Sequence, residues 1–445
     1  MRSSAIARLL VMGILTVGLL VPLTMVYSVV SERSSRRNEA VAEVSQTWGG
    51  QQIVGGPVLS IPYTTVTTDN WGKQQRTAAQ AHVLPRDLQI AGDVTPELRR
   101  RGIFDVVVYR TRLKVTGRFL RADLDWIRPV PERIDWQDSK VSVGVSDPRG
   151  LTRRASLSWS GREEPFSGGV SDVGLFRAGI HARVSDLESV PRGTDIPFSF
   201  TLDLNGTRDL RFLPAAEESS VSLTSPWPHP SFMGAPLPDD RTVAPSGFTA
   251  SWRVPDFGRP YPARWTSAEM NREQLPIQAE GSAFGVGLLQ PIDIYQQAER
   301  AVKYAVLFIV LTFLVFFLWE IFHTALLHPM QYAFVGFALC VFYLLLVSLS
   351  EHTGFDLAYS SSAAVTTLLV GGYARAILQG RRQGASVAIA LIGLYGFLYL
   401  LLRLEDYALL AGSVGLFIVL ALVMYVTRRM NWYDLRLGDR PARSA

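Results

Sequence analysis

Hydrophobic and polar positions divide the chain into stretches of different period. Leu9 to Val30 is a run of 22 residues without a charged side chain. A helix of that length reaches about 33 Å, enough for a hydrocarbon core of about 30 Å. Pro22 inside it is tolerable where neighbouring helices satisfy the freed carbonyl. The run is longer than the apolar core of a signal peptide, typically about 7–15 residues, so it predicts an uncleaved anchor over residues 1–30. Residues 31–48 read as a continuing helix. Val41, Val44 and Trp48 recur at helical spacing, and no glycine or proline intervenes before Gly49-Gly50, which stops it.

The period then changes to two. Val141, Val143 and Val145 alternate with Lys140, Ser142 and Gly144. Ile196, Phe198, Phe200, Leu202 and Leu204 do the same, as do Phe248, Ala250, Trp252 and Val254. Such strands keep one face on a core and one in water. Turn chemistry separates them at Ser146 to Gly150, at Asn205-Gly206 and at Gly168-Gly169. Many short strands with turns between them predict an antiparallel, sandwich-like domain, its number of lobes left open.

Apolar runs return at 302–322, 331–350, 357–378, 385–402 and 407–426, with short polar separators such as His323 to Met330 and Glu351 to Asp356. The expected fold class is thus a membrane protein of α + β type. It has an anchor helix (1–30), a mainly-β domain (31–301, of which 31–48 is the helical lead-in), a bundle of five transmembrane helices (302–426) and a tail (427–445). Six spans put both termini on one side. Arg2, Arg8, Arg381, Arg382, Arg428, Arg429, Arg436, Arg440 and Arg443 lie on that side. Arg33, Arg36, Arg37, Arg300, Lys303 and Arg403 lie on the other. The positive-inside rule then predicts cytoplasmic termini and a periplasmic β-domain.

Charge and cysteine narrow the partners. The net charge of +5 does not reside on the β-domain, since residues 31–303 carry 33 Lys and Arg against 32 Asp and Glu. A nucleic-acid binder would cluster its basic residues on the folded domain, so the expected partners are the lipid bilayer and an unknown envelope component or membrane protein, with no nucleic acid. The single cysteine, Cys340, sits in an apolar run. The β-domain therefore has neither a disulfide framework nor a cysteine-based zinc site.

Signatures of catalysis are missing. The β-domain has no G-x-S-x-G, H-E-x-x-H, phosphate-binding loop or dinucleotide fingerprint, and its histidines, His82, His181 and His229, are far apart. No catalytic residue, metal or cofactor is expected. The candidate binding residues come from two places. In Thr224 to Gly234, prolines at 226, 228 and 230 fix the backbone and present Trp227 and His229. This is either a recognition loop or a rigid crossover between sheets with Trp227 in the core. Asp147 and Arg149 form either a site or a capped turn. Near the membrane, Glu320 and His323 stand one turn apart, His328 follows, and Glu351 with His352 occupy the opposite face. Ionisable groups there default to functional hypotheses, although all of these, like Arg375, stand near span ends where water is reachable.

Several segments carry a resemblance: Gly56 to Pro62 (GPVLSIP), Leu223 to Phe232 (LTSPWPHPSF), Leu327 to Tyr332 (LHPMQY), Phe342 to Leu346, Leu349 to Phe355 (LSEHTGF) and Asn431 to Asp434 (NWYD). In order and in position they resemble the CreD family of Gram-negative inner-membrane proteins. The resemblance implies a role in cell-envelope integrity and stress response, and it carries no catalytic residue set. The expected function is non-catalytic binding of an envelope component through the β-domain. The alternatives are a transporter or lipid-handling bundle, and an envelope enzyme with a site at the membrane–periplasm face.

Overall fold

The structure, a computed structural model, describes residues 5–68, 74–121, 124–170, 172–269, 274–290, 294–323, 327–378, 380–404 and 407–428. Asn431 to Asp434 and the tail lie outside these. The chain divides into two units, Asn38–Pro291 on one hand and Met1–Arg37 with Ile292–Ala445 on the other.

The first unit is sheet-rich. Each stretch read at period two forms a strand: Lys140–Val145, Asp195–Thr207 and Gly247–Pro255. A ten-stranded sheet is built around Gln52–Thr68, and an eight-stranded sheet around the long hairpin of Asp87–Arg101 with Phe104–Leu120. The inward residues of both sheets belong to one buried core. Trp252 of the eight-stranded sheet meets Phe232 and Phe284 of the other, ring centroids 5.9 and 6.1 Å away. Large side chains from both sides thus close the space between the sheets.

Two expectations are corrected here. The sheets are not purely antiparallel. Gln52 to Val54 pair in parallel with Leu210 to Phe212, and Asp87 to Asp93 pair in parallel with Glu218 to Thr224. Period two records which face a residue takes, not the direction of the neighbouring strand. Asn205-Gly206 is also not a turn, for it lies within Asp195–Thr207 with Gly206 opposite Tyr109. A Cβ on Gly206 would run into the Tyr109 ring. The glycine makes room for Tyr109, whose hydroxyl donates to the Asp209 carbonyl at 2.7 Å. The chain turns instead at Arg208, which has φ 63°.

Helix α1 (Ala5–Trp48) runs unbroken through Pro22 and ends at Gly49, whose φ is 120°. Glycine adopts that conformation without strain. In the second unit its buried stripe is Met12, Leu19, Leu23, Val26 and Val30. These recur at helical spacing, while Leu10, Ile14, Val17, Val21 and Met25 face outward. A Cβ on Gly336 would strike Leu19, so that glycine admits α1 to the bundle.

Helix α2 (Gln274–Gly281) belongs to the sheet-rich unit, and the bundle contains α3 (Ile294–Lys303), α4 (Ala305–His323), α5 (Pro329–Thr353), α6 (Phe355–Ile377), α7 (Arg381–Arg403) and α8 (Ala408–Thr427). Among the described residues, five helices are long and apolar enough to cross a membrane: α1, α4, α5, α7 and α8. The run expected as a span at 357–378 corresponds to α6, which has the length but not the hydropathy. Ser360, Ser361, Ser362, Thr366, Thr367 and Arg375 dilute it. The separator expected at Glu351 to Asp356 is mostly helical, with Gly354 alone standing between α5 and α6. Helix α3 was not visible as an apolar run because it is amphipathic. It buries Tyr295, Ala298, Ala301 and Val302 and turns polar residues outward.

Candidate functional site

In the sheet unit, Asp147 caps the turn at Pro148–Gly150. Its carboxylate accepts from Arg149 Nε and Nη2, both at 2.8 Å, and from the Gly50 main-chain N–H at 2.9 Å. The Arg149 guanidinium holds its carboxyl below the usual range; partial burial opposes this and the Gly50 N–H adds to it. Gln52, fully buried, ties the same corner together by donating to the Asp147 and Asn205 carbonyls. This arrangement fastens the end of α1 to the sheets and leaves no valence of Asp147 aimed at a ligand.

The Pro-Trp-Pro-His-Pro segment passes from Ser225, which ends a strand of one sheet, to Pro230, which begins a strand of the other. Trp227 is half-buried against the shared core, and its indole N–H donates to the Leu289 carbonyl at 2.9 Å. His229 is exposed, and its carbonyl accepts from Leu289 N–H. The prolines thus hold a crossover in place. Trp227 and Asp147 contact different partners.

In the helical unit, Glu320 is 1 % exposed. It forms an ion pair with Arg8 of α1, accepts from the Tyr332 hydroxyl of α5 at 3.0 Å and accepts from Leu327 N–H at 3.0 Å. The His323 side chain, expected beside it, lies outside the described residues. His328 caps α5, accepting from Met330 N–H at 3.2 Å in a capping box with Gln331. Glu351 accepts from the Tyr295 hydroxyl at 3.0 Å and stands 3.7 Å from Arg33. Its neighbour His352 is exposed, since consecutive helical residues point about 100° apart.

Three arrangements went unread in the sequence. A cleft of about 600 Å³ in the sheet unit is lined by Trp48, Asp93, Arg110, Arg112, Arg153 and Asp203, among others. Arg99 and Arg110 lie over the Trp48 ring, 4.2 and 5.2 Å from its centroid. Arg112 pairs with Asp203 at 2.7 Å. The signal was available: Arg110, Arg112 and Lys114 alternate with Tyr109, Thr111, Leu113 and Val115 on one strand, and a tryptophan ends helix α1. Second, Trp265, His82, Ser60, Lys140 and Arg183 form one cross-strand row. Ser60 Oγ is 2.9 Å from His82 Nδ1, and burial pushes the imidazole down to about 4, against a main-chain hydrogen bond at Asp172. Only strand register could have assembled that row. Third, Asp356, Tyr399 and Arg403 meet at one end of α6 and α7.

Comparison with known proteins agrees with the apolar helices of the bundle. The family described as inner membrane protein CreD matches residues 4–433 of this chain. Inner membrane protein CreD of Escherichia coli (strain K12) is 34% identical over 428 residues, covering 95% of this chain and 93% of its own length. Among solved structures, an M1 zinc metallopeptidase from Deinococcus radiodurans matches over 40% of this chain and 41% of its own, with 12% identity and a TM-score of 0.19, too low to support any inference. The family match, extending over nearly the entire sequence and through both units, establishes that this chain belongs to the CreD family of inner membrane proteins.

Proposed function

We propose that the chain crosses the inner membrane six times with both termini in the cytoplasm. Its sheet unit then stands in the periplasm, where it supports envelope integrity by binding an envelope component without catalysis. The observation that carries the binding role is the cleft at Trp48, where three arginines and two aspartates line an open space beside an aromatic ring. The cationic surplus suits an anionic group, and the ring gives it an apolar edge. His82 is fully buried, and among the described residues no group of three or more His, Cys, Asp or Glu is placed to hold a metal.

The connections within the bundle support six crossings. Helices α5, α6 and α7 span about 35–38 Å each and are joined by Gly354 and by residues 378–380. If α5 and α7 cross, such short links require α6 to cross between them. The basic residues on the proposed outer side also count for less than their number. Arg33, Arg36, Lys303 and Arg403 each have an acidic partner: Glu351, Glu32, Glu299 and Asp356.

Orientation is checked in a Cys340→Ser background. Ser160→Cys, in an exposed turn, should label with a membrane-impermeant thiol reagent in intact spheroplasts, and Ser444→Cys should not. The reverse pattern would overturn the orientation.

The cleft is checked with the Arg110→Ala/Arg153→Ala pair. Both side chains are largely exposed, so the melting temperature should change little, by the equivalent of about 0.5 kcal/mol per site. Complementation of a strain lacking the protein under envelope stress should fail. Full complementation at normal membrane levels would rule the cleft out as the binding site.

A further inference from the structure

A groove of about 520 Å³ runs between α6 and α7, lined by Tyr359, Ala363, Ala364, Leu368, Ile392 and Gly396 among others. Its lining is mainly apolar, and at one end stand Asp356, Tyr399 and Arg403. Arg403 Nη2 lies 2.5 Å from Asp356 Oδ2, and the Tyr399 hydroxyl donates to Asp356 Oδ1 at 3.0 Å while accepting from Arg403 at 3.0 Å. We propose that this groove holds one acyl chain of a zwitterionic phospholipid with an ethanolamine headgroup, whose phosphate meets Arg403 and whose ammonium meets Asp356.

The dimensions suit one leaflet. From Asp356 to Leu368 is about 18 Å along α6, and from Arg403 to Ile392 about 16 Å along α7, against about 15 Å for half a hydrocarbon core. The groove therefore reaches from headgroup level to the bilayer centre. Under the orientation proposed above, this is the outer leaflet of the inner membrane.

The charges choose the headgroup. Both members of the pair are about half-exposed, at 57% and 48%. An exposed ion pair of this kind contributes little by itself, so it can open to admit a headgroup at small cost. A phosphate alone would satisfy Arg403 and set a second anion beside Asp356. An ammonium a few bonds from that phosphate satisfies both. Tyr399 sits where tyrosines favour the membrane–water boundary. The groove also accounts for the small and hydroxylated residues of α6. Small residues along it leave room for the chain, and the Ser360 and Ser361 hydroxyls donate to carbonyls four residues back, at 2.7 Å each. A Cβ on Gly396 would meet no atom within 4 Å, so the space beside it is open.

The test uses the purified full-length chain equilibrated with mixed phosphatidylethanolamine and phosphatidylglycerol vesicles, extracted gently and weighed by native mass spectrometry. The unaltered protein should retain one phosphatidylethanolamine in about tenfold preference to phosphatidylglycerol. Gly396→Leu should fill the groove and abolish retention while melting normally in lipid-free detergent, and Ala364→Leu should do the same from the α6 side. Arg403→Gln and Asp356→Asn should still retain lipid but lose the preference. Equal retention of both lipids by the unaltered protein would overturn the proposal, as would retention undiminished in both filled variants. So would a dimer of the unaltered chain that carries no lipid and that Gly396→Leu converts to monomer, which would give the groove to a second copy.

Discussion

Glu320→Ala is expected to destabilise the helical unit by about 3–5 kcal/mol, the range for breaking a buried ion pair from one side. The carboxylate draws three elements together: Arg8 on α1, Tyr332 on α5 and the main chain at Leu327. Removing it takes a buried countercharge from the Arg8 guanidinium and the acceptor from the Tyr332 hydroxyl. Glu320→Gln keeps an acceptor for Tyr332 and should cost less. The decisive variant is Arg8→Met/Glu320→Met, which removes both charges and substitutes apolar volume. A pair that matters chiefly because one half cannot stand without the other predicts that this double variant recovers most of the loss. Reversible unfolding of the full-length protein in detergent measures all of these. A Glu320→Ala variant within about 1 kcal/mol of the parent would show that the pair is dispensable.

Trp227→Ala should cost about 3 kcal/mol, the lower end of the range for truncating a buried aromatic, because Trp227 is only half-buried. That is a large share of a stability of about 5–15 kcal/mol, so the protein's level in the membrane should fall. Trp227→Phe keeps most of the packing and loses the hydrogen bond to Leu289, at a cost of about 1 kcal/mol. His229→Ala is the control. Its side chain is exposed and only its carbonyl is used, so it should be nearly neutral. Normal melting and abundance of Trp227→Ala together with lost envelope function would transfer Trp227 from the core to a recognition surface.

The candidate residues show where reading the sequence stops. Helical spacing groups Glu320 with His323, but the partners of Glu320 are Arg8, more than three hundred residues earlier on α1, and Leu327 and Tyr332 beyond the end of α4. Adjacency sets Glu351 beside His352, yet a helix turns neighbours apart, and the partners of Glu351 are Tyr295 and Arg33. Asp147 and Arg149 fared otherwise: a capped turn closes within three residues, so its geometry was legible. Trp227 was legible in part. Alternating prolines announced a rigid segment, but which face of which sheet received the indole depended on strands more than fifty residues further on.

By itself the sequence determined what depends on neighbours along the chain. The length and apolarity of α1, α4, α5, α7 and α8, the change of period after Gly49-Gly50, the strands at 140–145, 195–204 and 248–254, and the family all follow from local pattern. Only the tertiary structure decided pairing. The parallel neighbours of Gln52–Thr68 and Asp87–Arg101, Gly206 as room for Tyr109 rather than a turn, the row from Trp265 to Arg183 and the groove between α6 and α7 all join distant segments. Hydrophobic periodicity specifies which face an element buries, because burial is a property of one residue and its surroundings. It carries no record of which partner covers that face. That choice comes from packing and hydrogen-bond satisfaction summed over the folded chain.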